Sequence, residues 1–220
     1  MSRAEDLPFD PSRFSGKVPL FPLPDAVLLP GQEMKLCVFE LRYRAMIQTA
    51  LTGELLVGMA LLKPGWEPHY LESPDIYPVI CVGWIRSHER LDDGRFNLVL
   101  TGQERAKVES ETQKIPYRVA EVTLLKDEDP HSADVEKDRK WLIQWIEKRL
   151  PPDSSLKDLF RNRWSKLPLG RLADAVSASL KVTPAVKYSL LEATAVNERI
   201  QRLRPLLKGM KMTSDVWKKP

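Results

Sequence analysis

The chain has 220 residues, of which 43% are hydrophobic and 29% charged, so it can bury a core and fold as a water-soluble globular protein of one or two domains. No run of about 18 apolar residues is present, which excludes a membrane-spanning helix. The N-terminus mixes acids and prolines where a signal peptide needs an apolar segment, and we expect a cytoplasmic protein.

The net charge of +4 is unevenly distributed. Residues 1–125 carry 14 Lys and Arg against 17 Asp and Glu, whereas the remaining residues carry 20 against 13. A basic excess of this kind attracts nucleic acid or an acidic protein surface, but it is more often the solvated face of helices. The two cysteines, Cys37 and Cys81, lie in apolar, strand-like runs, which predicts two buried thiols in a reducing compartment rather than a disulfide.

The first predicted elements are a proline-rich edge strand, a tight turn at Pro30-Gly31 and a second strand, "KLCVF". From Glu40 the apolar residues recur at helical spacing and predict a helix of about three turns whose buried face is formed by Tyr43, Met46, Ile47 and Ala50. The apolar run "LLVGMALL" that follows is too short for a helix and predicts a strand buried on both faces.

A loop with four prolines then presents Trp66, His69 and Tyr70, and it leads to a buried strand, "VICVGWI". The Asp93-Gly94 pair predicts a hairpin, after which "FNLVLTG", "AKVES" and "YRVAEVTLL" alternate with a period of two. Six or more short strands with one intervening helix favour a small, curled β-barrel.

Beyond "KDEDPHSAD" nothing strand-like follows, and we predict five helices, the fourth of them capped by Thr183 with Pro184 at its first position. Their apolar stripes contain Val135, Leu142, Trp145 and Ile146; Leu156, Leu159 and Phe160; Leu169, Leu172, Ala173, Val176 and Leu180; and Val196, Ile200, Leu203 and Leu207. The predicted organisation is an N-terminal arm (1–17), a β-barrel domain (18–125), a helical bundle domain (126–208) and a flexible tail (209–220).

Four pieces of sequence resemble, in family order, the N-terminal substrate-recognition domain of the Lon (S16) ATP-dependent proteases. They are "PLFPLPDAVLLPG", "FELRYRAM", the Gly83-Trp84-Ile85 strand with "DGRFNLVLTGQER", and "TPAVKYSLLEATAVNERIQRL". The resemblance implies an α+β fold, a PUA-like β pseudobarrel with one inserted helix followed by a C-terminal helical bundle. One departure is Ala106, where the family often has a bulkier residue.

Lon proteases continue into an ATPase module and a peptidase module with a serine and lysine pair, and this chain ends before either, so we expect a stand-alone, non-catalytic form. The nearest match to a phosphate loop, "GELLVGMA", has Met59 and Ala60 where lysine and serine or threonine are needed. The three histidines are not at metal-ligand spacing, and neither a "GxSxG" motif nor a dinucleotide fingerprint is present. We therefore expect no catalytic residues, cofactor or metal.

The resemblance implies binding of exposed apolar or aromatic segments of polypeptides, with a barrel edge and neighbouring pockets as the physical means. The candidate binding residues are Phe21, Trp66, Tyr70 and Trp84 among the aromatics and Glu40, Arg42 and Arg44 beside the inserted helix. Phe21 and Trp84 have an alternative role in the core, and Glu40 with an arginine has one in tying the helix to the barrel.

Two alternatives remain. PUA-like barrels can bind RNA, and the basic helical half would support that function, although the barrel half is acidic and lacks arginines interleaved with aromatics. The helical half could instead dock a partner protein, so that the protein works as a proteolysis or chaperone adaptor. The sequence favours a polypeptide or protein partner over nucleic acid or membrane and leaves the oligomeric state undetermined.

Overall fold

The computed structural model describes residues 9–128, 134–150, 155–162 and 164–208. The first eight residues of the predicted arm and the whole predicted tail lie outside the described residues. The contacts divide the chain into two compact units, residues 1–125 and 126–220. In the described ranges, no helix has both the length and the apolar character needed to cross a bilayer.

The described part of the first unit contains six strands and one α-helix. Between the second and third strands lies the helix α1, Leu41–Thr52, whose buried residues are the predicted Tyr43, Met46, Ile47 and Ala50. The strands are β1 (Lys17–Leu23), β2 (Glu33–Val38), β3 (Leu56–Leu61), β4 (Val79–Arg90), β5 (Phe96–Gln113) and β6 (Val119–Leu125).

The strand pairing closes the sheet on itself. The order is β2-β5-β4-β3-β1-β6, and β5 pairs additionally with β6, so that β5, β4, β3, β1 and β6 form a ring. The segments "FNLVLTG" and "AKVES" are one strand and not two, which corrects the prediction. Register shifts at Val108/Ser110 and Glu111/Gln113 bend β5 where it meets β6, because an extra residue in one strand kinks the ladder without a turn.

The predicted edge position of β1 is also wrong. Residues Lys17 to Pro19 pair with β6 and residues Leu20 to Leu23 pair with β3, so β1 lies inside the sheet. Each half of β1 nevertheless has only one partner in these ladders. A proline at position 19 or 22 is therefore tolerated, since the missing N–H group is not needed on both sides of the strand.

The core of the first unit follows the predicted patterns. All six residues of β3 are buried, and Phe96, Leu98 and Leu100 point inward from β5. The Pro30-Gly31 turn is present and reaches β5 through the N–H of Gly31, which donates to the carbonyl of Gly102 at 2.8 Å. A Cβ at Gly102 would lie 2.2 Å from the carbonyl oxygen of Leu29, so only glycine allows this approach.

One of the two cysteine predictions is wrong. Neither cysteine forms a disulfide, but Cys81 is buried in β4, whereas Cys37 is exposed. The strand β2 pairs only with β5, and its inner and outer residues alternate, which places Cys37 on the outer face with Lys35.

The described part of the second unit contains five α-helices packed around a common apolar core. Thr183 caps the fourth of them as predicted, because its hydroxyl accepts the N–H of Val186 at 3.4 Å and Pro184 follows it. The described members of the predicted apolar stripes are buried or packed against this core, and the side chains of Leu156 and Leu159 lie outside the described residues. The helices are α2 (Asp134–Glu147), α3 (Ser155–Asn162), α4 (Leu169–Ser179), α5 (Pro184–Glu192) and α6 (Val196–Leu207).

A fully buried arginine organises the second unit. The guanidinium of Arg199 pairs with Asp174 at 3.2 Å and with Asp127, and both of its partners' side chains belong to the same unit. Arg199 also donates to the carbonyl oxygens of Ala193 at 2.7 Å and Gly170 at 3.2 Å. Because a buried charge is tolerated only when it is paired and hydrogen-bonded, this network specifies how α6 meets α4.

Candidate functional site

The proline-rich segment between β3 and β4, residues 62–78, forms a loop whose two ends are held together. The N–H of Lys63 donates to the carbonyl of Asp75 at 2.8 Å, and the N–H of Tyr77 donates to the carbonyl of Leu61 at 2.9 Å. A single helical turn at Glu67–His69 lies at the tip of the loop, with Trp66 directly before it and Tyr70 directly after it. The backbone of this loop therefore presents two aromatic side chains from one turn.

Glu40 and Arg42 attach this loop to the start of α1. The Tyr70 hydroxyl donates to Glu40 Oε1, and Arg42 Nε donates to Glu40 Oε2 at 3.1 Å. Arg42 Nη1 also donates to the Tyr70 carbonyl at 3.2 Å. The sequence offered a role for an arginine in tying the helix to the barrel. Arg42 ties α1 to the loop, since it bonds to Tyr70 and to Glu40, two residues that are 30 positions apart in the chain and bonded to each other.

A continuous line of ring contacts runs through the same place. The guanidinium of Arg42 lies 4.6 Å from the ring centroid of Tyr43 and 4.8 Å from that of Tyr70. Tyr43 contacts Phe21 with 4.5 Å between ring centroids, and Tyr70 meets Trp66 edge-on at 5.4 Å. Aromatic pairs and cation–π contacts of this kind add about 0.5–1.5 kcal/mol each to the burial of the rings.

Glu40, Arg42, Tyr43, Trp66 and Tyr70 thus form one cluster of contacting side chains. Its two tyrosine hydroxyls stay protonated at neutral pH. Burial raises the pKa of the Tyr43 hydroxyl, and burial together with the hydrogen bond to the Glu40 carboxylate raises the pKa of Tyr70. Since a phenol that keeps its proton can donate, the bond from Tyr70 to Glu40 persists over the physiological pH range.

Two concave features border the loop. A narrow pocket of about 20 Å³, room for about one water, is lined by Arg42, Tyr43, Tyr70, Tyr117 and Arg118 among others. The second feature is an open groove of about 330 Å³, formed entirely by loop residues and lined in part by Trp66.

Arg118, the residue directly before β6, supports this arrangement and was missed by the sequence reasoning. Its buried guanidinium donates from Nη1 to the Pro74 carbonyl at 2.7 Å and from Nε to Glu111 at 2.8 Å. The sequence signal for this role was an arginine near the start of a predicted strand. It does not identify the partner, because Pro74 is 44 residues away in the chain and meets Arg118 only in the folded protein.

The large apolar side chains that are exposed in the described residues are all next in the chain to a residue of this cluster or of the narrow pocket. They are Phe39 (64% exposed), Leu41 (77%), Leu71 (86%) and Ile115 (86%). Phe39 and Leu41 are the neighbours of Glu40 in the chain, Leu71 follows Tyr70, and Ile115 lies between Lys114 and Pro116, which both line the narrow pocket. The sequence analysis did not identify any of the four as exposed. For Leu41 a signal was available, because it is an apolar residue outside the apolar stripe of α1.

The remaining candidate residues lie elsewhere or inside the core. Phe21 is buried in β1 and contacts the ring of Tyr43. Trp84 is half-buried in β4, where it packs against the core of the closed sheet. Arg44 covers Gly94 at the β4–β5 hairpin, where its guanidinium would overlap any side chain at that position. Cluster members among the candidates are thus Glu40, Arg42, Trp66 and Tyr70.

A metal centre is not evident in the part of the chain that the structure describes. In that part, no three His, Cys, Asp or Glu side chains are grouped as metal ligands. The loop histidine, His69, lies 3.0 Å from Glu72 and is exposed. What the cluster offers chemically is apolar and aromatic surface next to paired charges, which suits recognition of another chain.

Comparison with known proteins gives one consistent result. The family model for the ATP-dependent protease La (LON) substrate-binding domain matches residues 17–209. The Lon protease of Brevibacillus choshinensis is 28% identical over 206 residues, which cover 88% of this chain and 25% of that protein. The Lon protease of Dictyoglomus thermophilum is 27% identical over 189 residues, which cover 84% and 23%, respectively. The chain thus spans about a quarter of the length of these curated relatives.

Solved structures agree at the level of the fold. The N-terminal domain of the Mycobacterium avium complex Lon protease superposes with a TM-score of 0.65 at 20% identity, covering 88% of this chain and 98% of that one. A Lon N-terminal domain protein from Xanthomonas campestris superposes with a TM-score of 0.57 at 23% identity, with the same coverage.

Proposed function

The chain belongs to the family of the ATP-dependent protease La (LON) substrate-binding domain, and on that premise we propose that it recognises exposed apolar segments of other polypeptides through the Glu40–Arg42–Tyr70 cluster. A substrate-binding domain of a protease must accept protein substrates, so the family supports polypeptide as the class of ligand. The finer statement, that this cluster is where the polypeptide binds, rests on the surface around it.

The observation that carries the proposal is the exposure of Phe39, Leu41, Leu71 and Ile115, each of which is next in the chain to a residue of the cluster or of the narrow pocket beside it. Exposing a large apolar side chain forgoes about 1.5–3 kcal/mol of burial. Grouped exposure of this kind typically marks a binding surface, whereas single exposed apolar residues need no explanation. Four such side chains next to an aromatic cluster are suited to contact the apolar residues of an unfolded segment.

The arrangement also explains how specificity can be broad. The apolar side chains are carried by three separate segments, residues 39–41, 70–72 and 114–117, so several registers of an extended client could satisfy them. Hydrogen bonds within the cluster keep the aromatic residues in place, because Arg42 and Tyr70 bind each other and Glu40. A pre-ordered surface binds without a large loss of side-chain entropy.

The proposal extends to three further points. The closed sheet is read as a PUA-like pseudobarrel and the five helices as a bundle, and the chain is read as a non-catalytic adaptor that presents clients to a separate protease or chaperone. A cytoplasmic location fits two cysteines that form no disulfide, since a reducing compartment disfavours disulfide bonds.

The test is a titration by fluorescence anisotropy of the purified chain against an unfolded, apolar-rich polypeptide and against a single-stranded RNA, each at two salt concentrations. We expect saturable binding of the polypeptide that persists at the higher salt, because burial of apolar surface is not screened by ions.

RNA binding that falls steeply with salt, together with no saturable polypeptide binding, would contradict the proposal. That result would make the basic excess of residues 126–220 the source of binding, through release of counterions from the nucleic acid.

A further inference from the structure

The open groove in the loop has a mixed chemical character. Its volume of about 330 Å³ accommodates one or two side chains rather than a folded surface. Trp66, Pro64 and Pro74 supply apolar surface, and Glu72 and Asp75 supply carboxylates. A groove with apolar walls and acids at its border is complementary to a side chain that has an apolar stem and a cationic end.

The ring of Trp66 has no cation of this chain over it in the described residues. Three arginines there, Arg42, Arg149 and Arg204, lie over aromatic rings with 4.1–4.8 Å between the guanidinium carbon and the ring centroid. None of these rings belongs to Trp66, although tryptophan is the ring type that attracts cations best. The half-buried Trp66 ring is therefore available to a cation of another molecule.

The charges around the groove favour a cation as well. Glu72 and Asp75 face a single lysine among the lining residues, Lys63, and the exposed Glu67 follows Trp66 directly. His69 pairs with Glu72 at 3.0 Å and leaves the second carboxylate, that of Asp75, exposed to solvent. The lining residues contain two carboxylates and one lysine, an excess of acidic side chains that attracts a basic side chain.

We propose that this groove takes a lysine or arginine side chain of the bound polypeptide, with its methylene stem on Trp66 and its charged group at Glu72 and Asp75. The inference rests on the proposed function and adds a preference to it: favoured client segments carry a basic residue beside their apolar residues. The apolar part of the client binds at Phe39, Leu41, Leu71 and Ile115, and the basic residue fixes its register.

The experiment compares three labelled peptides that share one apolar core and differ at a single flanking position, which is lysine, norleucine or glutamate. Norleucine keeps the apolar stem and removes the charge. We expect the lysine peptide to bind about fivefold to tenfold more tightly than the norleucine peptide at low salt, and the glutamate peptide to bind most weakly.

The matched variants are Glu72→Gln with Asp75→Asn in the groove and Asp92→Asn with Glu109→Gln as a control that removes the same charge elsewhere in the first unit. The groove variant should bind lysine and norleucine peptides equally, while the control keeps the preference. Equal binding of all three peptides to the unmodified protein would overturn the inference and leave the proposed function standing. Failure of every peptide to bind would overturn the proposed function itself.

Discussion

At the scale of single residues, two arginines have opposite roles in this molecule. Arg199 is fully buried and bonded on every side by Asp174, Asp127 and backbone carbonyls, so its work is structural. Arg42 is half-buried, lies over two tyrosine rings and shares Glu40 with Tyr70 at the surface. The sequence shows both only as charged residues on predicted helices, and burial is what separates them.

Replacing Arg199 by methionine should destabilise the second unit by about 3–5 kcal/mol, because Asp174 would remain as a buried charge without its partner. Urea unfolding followed by far-ultraviolet circular dichroism measures the change. Arg202→Met serves as the control, since that arginine forms ion pairs at the surface of the same helix. A loss of less than about 1 kcal/mol in Arg199→Met would contradict the structural role.

The change Trp66→Ala should weaken polypeptide binding about tenfold or more and shift the melting temperature by less than about 3 °C. The physical reason is that Trp66 is half-buried in the loop 62–78, where it lines the open groove. Anisotropy titration and thermal unfolding of the same preparation test both halves of the expectation. Equal losses of affinity and stability would assign Trp66 to the folding of the unit.

The tyrosines of the cluster predict a fall in stability at alkaline pH. Burial raises the pKa of Tyr43, and burial with the Glu40 hydrogen bond raises that of Tyr70. The unfolded chain therefore loses these protons first, so the stabilisation is complete below pH of about 10 and declines as the pH rises above it. Urea midpoints at increasing pH measure the decline, and Tyr43→Phe should reduce it; an unchanged slope in that variant would refute the assignment.

At the scale of elements, the loop 62–78 connects β3 to β4 and carries the aromatic residues Trp66 and Tyr70. Its ends are closed by backbone bonds between Lys63 and Asp75 and between Tyr77 and Leu61. Two side-chain contacts then fix the loop: Tyr70 bonds to Glu40, directly before α1, and the Pro74 carbonyl accepts a hydrogen bond from Arg118, directly before β6. Loops held in this way keep a defined surface while tolerating changes in the residues they present.

Removing only the Tyr70 hydroxyl tests the first of these attachments. Tyr70→Phe keeps the ring contacts but loses the bond to Glu40, so the backbone amides of residues 62–78 should exchange hydrogen several-fold faster. Hydrogen exchange followed by mass spectrometry measures the change, and Tyr117→Phe removes a hydroxyl from the same pocket without touching that bond. Unchanged exchange in Tyr70→Phe would mean that Arg42 and Arg118 hold the loop alone.

At the scale of the whole molecule, each unit has its own apolar core and its own buried polar tie. The first unit centres on the closed sheet with Arg118, and the second on the helices with Arg199. All residues of the proposed binding cluster belong to the first unit. The proposed site of polypeptide binding and the basic charge excess therefore belong to different units.

A chain of residues 1–125 should accordingly fold alone and bind the apolar polypeptide with an affinity within about threefold of that of the full chain. Circular dichroism, thermal unfolding and the same anisotropy titration provide the measurement. Folding without binding would place an essential part of the site in residues 126–220. In the chain of 220 residues, Leu71→Ser should still lower the affinity without lowering stability, because Leu71 is exposed.

Local patterns predicted most of the elements because they depend on residues close in the chain. The buried face of α1, the fully buried β3, the Asp93-Gly94 hairpin and the Thr183 cap each follow from spacing or from turn chemistry within a few residues. Such features can be predicted because they do not depend on contacts with residues far away in the chain. The family resemblance depended in the same way on short motifs kept in order, and the family match over residues 17–209 agrees with it.

Long-range pairing decided what the local patterns missed. The internal position of β1, the continuity of β5 and the exposure of Cys37 all depend on which strand lies beside which, and a bulge or a missing neighbour leaves no local signature. Composition, element types and family membership were thus determined by the sequence itself. Only the tertiary structure brought Glu40, Arg42 and Tyr70 together, because these residues belong to segments far apart in the chain and no sequence spacing predicts which distant segments meet.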